Sequence, residues 1–354
     1  MLRVTATNLP VLMHCIGSRL MPPALPTISD DTSDRDEGNA AHWLSQQLFN
    51  GVDVPVNSKA YNGFVVTQEM FDHVNEYLSE LDAGEMEVDT SWSGTGFGVF
   101  GRCDHRKWRP ETGTLVIEDF KYGHRIVEPK MNWTLISHAI GTISRLQIQP
   151  EYIKFIIHQP RPYHPDGTTR SWNIGYDDLM KMMYQVIDRL SEPTDELSTN
   201  PFCGSCDANA ICPAARKAGY NAVDVADIAL PDDMTPEQIG RELDLLERAY
   251  ETIKNRRDSV HELATYKVTN GAVIENRMLD KRYAHKKWKP HVTPEMLQML
   301  SGVDVSKAGL VTPAEAIRRH IPKEMVDSLV DRPFIGSKLI KVDPDVQARK
   351  LLGK

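Results

Sequence analysis

Apolar residues recur at helical spacing in two stretches near the start of the chain. Ala40, Trp43, Leu44 and Leu48 predict a helix that begins near Glu37 and runs through AAHWLSQQLF. Met70, Val74, Tyr77, Leu78 and Leu81 form a second stripe. Thr67 precedes it as an N-cap, so a helix is expected over 68–81. From Glu85 the pattern changes to runs and alternations bounded by Gly or Pro, which predict strands over 85–92, 96–107 and 114–120. Helical spacing returns over 131–146, followed by strands at 152–159 and 169–174 and a helix at 177–190. This order predicts an α/β fold with a mixed central sheet flanked by helices. Thr235-Pro236-Glu237 opens a long, charge-rich amphipathic helix over 235–266. Residues 267–354 read as a hairpin with short helices, and 21–38 as a surface loop. The expected division is a core domain over 1–220 and a helical, basic accessory region over 221–354.

A chain of 354 residues can bury one large core or two modest ones. No apolar run reaches the length of a membrane span, and His14 and Arg19 interrupt the apolar patch near the N-terminus. A cytoplasmic protein with no membrane partner is expected. The net charge of −8 argues against a nucleic-acid coat or packaging role. It leaves room for an enzyme that gathers carboxylates at a metal and keeps basic residues local to a groove. Local basic clusters occur at 102–109, at Lys254, Arg256 and Arg257, and at 281–289. In the last of these Lys286 and Lys287 lie beside Trp288, a candidate DNA-contacting surface whose plainer reading is a solvated hairpin.

Asp104 falls on one predicted strand and Glu118-Asp119-Phe120-Lys121 closes the next. Side chains at 119 and 121 share a face because the strand period is two. If the two strands are neighbours, Asp104, Asp119 and Lys121 converge. Phosphodiester hydrolysis uses such groups: carboxylates for Mg²⁺ or Mn²⁺, and a compact cation to orient water or stabilise developing charge. The spacing alone also fits a surface hairpin with a salt bridge.

Five cysteines are an odd number, so a disulfide framework is not expected. Cys203, Cys206 and Cys212 sit within ten residues, and Cys15 could supply a fourth thiolate. Four thiolates suit tetrahedral zinc or a 4Fe–4S cluster, and spacing alone leaves both open. Cys103 reads as a buried strand residue.

Taken in order, HCIGS (14–18), EGNAAHWL (37–44), GRCD (101–104), VIEDFKYG (116–123), IIHQPRP (156–162) and CGSCDANAIC (203–212) resemble a known group. It is the RecB-like branch of the PD-(D/E)xK nucleases, in its iron–sulfur members of the AddB and CRISPR-associated type; the chain is more similar still to a phage and prophage family with that core. The likeness covers 14–212 and weakly 266–342. It implies a restriction-endonuclease-like core with a helical C-terminal extension. The implied activity is metal-dependent DNA cleavage, as an exonuclease in phage recombination, replication or repair, beside a single-strand annealing protein. In that branch a Gly-x-x-x-His on the first helix supplies a metal ligand, which Gly38 to His42 matches, and imidazole tilts the preference towards Mn²⁺. The resemblance implies His42, Asp104, Asp119 and the Phe120 carbonyl as metal ligands, with Asp104, Asp119 and Lys121 in catalysis. Glu85 or Glu87 could add a carboxylate, and the sequence does not choose between them. It also implies an iron–sulfur cluster on Cys15, Cys203, Cys206 and Cys212, stapling the N-terminal segment to the end of the core. The family's Gln-x-x-x-Tyr motif is absent: its register holds Thr134 and His138, expected to contact DNA together with Asn132 or Trp133. That departure keeps open a catalytically degenerate DNA-binding or scaffold protein. The oligomeric state is left open by the sequence.

Overall fold

Strand β5 organises the fold, because every residue of TLVIEDF after Thr114 is buried. A strand covered on both faces carries apolar residues at odd and even positions alike, and Leu115-Val116-Ile117 does so before the run turns acidic. The computed structural model describes residues 4–25, 33–93, 98–226, 234–283, 287–289, 291–303, 306–307, 309–332 and 334–352. Its first strands are β1 (Val4–Thr5), β2 (Glu85–Asp89), β3 (Val99–Phe100) and β4 (Arg102–Arg109), followed by β5 (Thr114–Phe120), β6 (Tyr152–His158) and β7 (Thr169–Gly175). Five of them form one sheet in the order β2-β4-β5-β6-β7. β5 is antiparallel to β4 and parallel to β6, so the sheet is mixed, as the pattern predicted. The strand expected over 96–107 is two strands, since β3 pairs with β1 outside that sheet. The break falls at Gly101, where an added Cβ would come within 3.0 Å of His138 Nδ1 and Thr90 Oγ1.

Helices cover both faces. On one side α1 (Leu9–His14), α4 (Trp133–Leu146) and α5 (Tyr176–Ser191) pack with Leu115, Ile117 and the apolar residues of β6. On the other, α2 (Ser33–Phe49) and α3 (Gln68–Glu80) close over Phe120 and Tyr122. The alternation along β5 therefore feeds two separate cores. Thr67 caps α3 as expected, its hydroxyl accepting from Met70 N at 3.1 Å. α2 starts four residues earlier than its apolar spacing indicated, because its first turn is polar.

The chain divides into two compact units, Met1–Val260 and His261–Lys354. The first also holds α6 (Pro213–Ala226) and most of α7 (Pro236–Thr269). In the second, Arg277–Tyr283 pairs antiparallel with the distant Phe334–Lys341, and Val292, Leu297, Ala316 and Val326 centre a small core. Among the described residues, no helix is long and apolar enough to cross a membrane.

Candidate metal and cysteine sites

The hydrogen-bond ladder between β4 and β5 ends at the pair His105↔Glu118. Beyond it the Phe120 amide donates to Asp104 Oδ2 at 2.8 Å, a side-chain bond in place of a ladder bond. The strands part at the level of Asp104 and Asp119, and the sequence-predicted pair lies at that opening. Lys121 Nζ reaches back to both Asp119 oxygens, at 2.9 and 2.7 Å. His42 projects from α2 with Nδ1 3.5 Å from Asp104 Oδ2. The structure thus brings His42, Asp104, Asp119 and Lys121 together.

The structure also chooses between the two glutamates. Glu87 offers an oxygen that, with one atom each of His42 and Asp104, forms a trio lying mutually within 4.8 Å. Glu85 instead forks onto Arg106 at 3.2 and 3.1 Å. In β2 the ladder pairs Met86↔His105 and Val88↔Cys103, which sets Glu87 level with Asp104. Its φ of +54° lies in the left-handed region, unusual inside a strand. Such backbone is unfavourable by about 1–3 kcal/mol and persists where surrounding structure enforces it.

The electrostatics follow from crowding. Burial pushes the Asp104 carboxyl up to about 6, and the nearby Asp119 charge adds to the rise against the pull of His42 and Lys121. Burial also raises Glu87. For Asp119 burial acts in the same direction, but the Lys121 ammonium outweighs it and holds the carboxyl below its usual range. Lys121 in turn is raised, since Asp119 and Asp104 overcome its own burial. Asp119 and Asp104 thus share the Lys121 ammonium, while Glu87 stands 3.8 Å from the Arg102 guanidinium and beside His42; carboxylates gathered in this way suit a divalent cation.

Helix α4 corrects one expectation. His138 is 4% exposed, bonded through Nδ1 to Thr90 Oγ1 at 2.7 Å, and burial lowers its pKa to about 4. The Thr134 hydroxyl donates to the Ala6 carbonyl at 3.3 Å, Asn132 caps the helix, and Trp133 is buried. His138 and Trp133 are buried, whereas Thr134 and Asn132 are half-buried and engaged by a backbone carbonyl and the helix cap; the His138 ring faces Thr90 and lies beside Asp119 and Lys121. Lys286 lies outside the described residues, and Lys287 is on a two-residue strand, Lys287–Trp288.

Sequence reasoning missed Glu118. Neighbouring strand residues face opposite ways, so Glu118 points away from Asp119. It meets His158 Nε2 at 2.7 Å and His105 Nδ1 at 3.3 Å, while His158 Nδ1 lies 3.2 Å from Glu80. Burial alone would raise Glu118, but the two histidines outweigh it and bring the carboxyl to about 2. The only sequence signal was an acidic residue inside an otherwise apolar strand.

Cys15, Cys203, Cys206 and Cys212 line one cavity, and none is in a disulfide. Backbone amides point at three of the sulfurs: Ser198 N at Cys15 (3.4 Å), Asn200 N at Cys203 (3.3 Å) and Ala208 N at Cys206. Amides aimed at sulfur stabilise thiolate ligands. Ser198 Oγ donates to His14 O, and a Cβ on Gly17 would overlap the carbonyls of Asp195 and Glu196. The N-terminal segment is therefore seated against the 195–212 stretch. Cys103 is a buried strand residue, as expected.

A mixed α/β fold whose central strands part around a histidine, carboxylates and a lysine defines the class to which this chain belongs. Its family is that described as protein of unknown function (DUF2800), whose model matches residues 13–289, and the chain belongs to it. No curated protein matches. The chain is also similar to a solved structure titled "Crystal structure of SSO0001", at 15% identity, covering 60% of this chain and 87% of that one with a TM-score of 0.26.

Proposed function

We propose that this protein is a divalent-metal-dependent DNA nuclease. The observation that carries the reading is the mutual approach of His42, Glu87 and Asp104 within 4.8 Å, beside the Asp119–Lys121 pair. The donor set fits a hard divalent cation with a place for nitrogen, which favours Mn²⁺ or Mg²⁺. His42, Glu87, Asp104 and Asp119 would hold it, with the Phe120 carbonyl as a further expected ligand. When bound, such an ion activates water and offsets charge on a phosphodiester. Asp119 fixes the Lys121 ammonium through both oxygens, and the lysine side chain keeps 34% of its surface open to solvent. It is therefore poised to orient water or to stabilise charge on a phosphate oxygen. His138, bonded to Thr90, lies beside this pair. The four cysteines, three of them met by backbone amides, would hold a 4Fe–4S cluster as a structural staple.

Purified anaerobically, the protein should degrade linear DNA with Mn²⁺ or Mg²⁺. Asp119→Ala should lower the rate by about 10²-fold or more while DNA binding is retained. Titration calorimetry should show Mn²⁺ affinity falling about tenfold or more in Glu87→Gln and unchanged in Glu85→Gln. No cleavage of linear or circular DNA with either ion would overturn the reading. A second reading, a DNA-binding protein that does not cleave, is favoured by the burial of His138 in α4. Mn²⁺ and DNA binding without turnover would support it.

A further inference from the structure

Helix α7 carries large apolar residues that stay exposed. Ile239, Leu243, Leu246, Tyr250, Ile253 and Val260 are 39–64% exposed, and the helix has no buried residue among those described. Their spacing is four, three, four, three and seven, the a/d repeat of a two-stranded coiled coil. The opposite side of the helix is already occupied: the Asn255 carbonyl and Ser259 Oγ both accept from Asn209 Nδ2. The seam therefore faces away from the cysteine region and spans about 33 Å at ~1.5 Å per residue. A contiguous apolar stripe of this length marks an association surface.

Charge decides the occupant. With Leu243 and Tyr250 at a positions, the flanking e and g positions hold Glu242 and Glu247 in the first half and Lys254 in the second, Arg256 being turned to the Asn209 carbonyl at 3.0 Å. A parallel second copy would set Glu242 against Glu247 of the partner subunit and stack Arg257, at an a position, on Arg257 of the partner subunit. An antiparallel copy removes both repulsions. Leu243 then meets Val260 of the partner subunit, Tyr250 meets Ile253 of the partner subunit, and Glu247 faces Lys254 of the partner subunit twice over. Arg257 lies along Leu246 of the partner subunit, with its head free to reach water. We propose that α7 is a dimerisation helix that pairs with a second copy of this chain as an antiparallel coiled coil.

Sedimentation equilibrium on the full chain should give twice the 40.0 kDa protomer mass. Leu243→Glu with Ile253→Glu should return it to the protomer mass with unchanged circular dichroism, because both side chains are exposed. Glu247→Lys should weaken the dimer about tenfold, by turning two facing pairs repulsive, and adding Lys254→Glu should restore it. A protomer mass at all concentrations for the unaltered chain would overturn the proposal. So would a dimer indifferent to the Leu243/Ile253 change, or one that tightens with Glu247→Lys, as a parallel pair would.

Discussion

Glu118 and Asp119 are adjacent in sequence and lead opposite lives. Asp119 faces Lys121 at the opening between β4 and β5, while Glu118 is clamped between His105 and His158 on the far side. The clamp has a consequence in acid. A carboxyl held at about 2 when folded, against an ordinary glutamate value of 4.5, contributes stability that is fully present above 4.5. That contribution is lost as pH falls from 4.5 towards 2, and at ~1.4 kcal/mol per unit it amounts to roughly 3 kcal/mol. Glu118→Gln should therefore lower unfolding stability at pH 7 by about that amount and flatten the loss between pH 4.5 and 2. Denaturant melts across that range would read both. A pH profile like that of the unaltered protein would show that the histidines do not stabilise the charge. The candidate ligands Asp104 and Asp119 were legible at this scale because metal chemistry dictates residue type. Glu87 was not, because nothing local distinguishes it from Glu85. Only its left-handed backbone and its level with Asp104 turn it inward.

Among elements, α4 shows how far a pattern reaches. Its apolar spacing announced a helix, and Asn132 caps it through the Thr134 and Leu135 amides. The pattern did not show that the helix is buried from Leu135 to Ile143, which seats His138 against Thr90 and leaves Thr134 half-buried at its first turn. Gly141 enforces that placement: a Cβ there would sit 1.7 Å from the Thr90 carbonyl oxygen. Gly141→Ala should push α4 off the segment that bonds His138, destabilising the protein by about 2–3 kcal/mol in spite of alanine's higher helix propensity. In Gly240→Ala, with nothing within 4 Å of the new Cβ, propensity alone should act and stabilise by up to ~1 kcal/mol. Urea unfolding of the two variants compares crowding with propensity directly. Destabilisation by the second and not the first would reverse the account.

At the level of the whole molecule, the cavity-lining Cys15 and Cys203 lie 188 apart in sequence, and the proposed cluster would join them. Closing so long a loop stabilises by no more than about 5 kcal/mol, and part of the constraint is already supplied by Ser198 and Gly17. Cys15→Ser should remove visible absorbance at roughly 400 nm and lower the melting temperature of the anaerobic protein. Zinc in place of iron by metal analysis would replace the cluster with the other thiolate centre. The sequence by itself determined the element order, the mixed α/β class, the apolar faces and the residue types of the site, because periodicity, capping and ligand chemistry are local properties. Tertiary structure alone decided that the 96–107 strand splits at Gly101, that Glu87 joins His42 and Asp104, that His138 of α4 is buried against Thr90, and that the seam residues of α7 stay exposed. Each of these depends on which surfaces meet across long stretches of chain, and no local pattern encodes that.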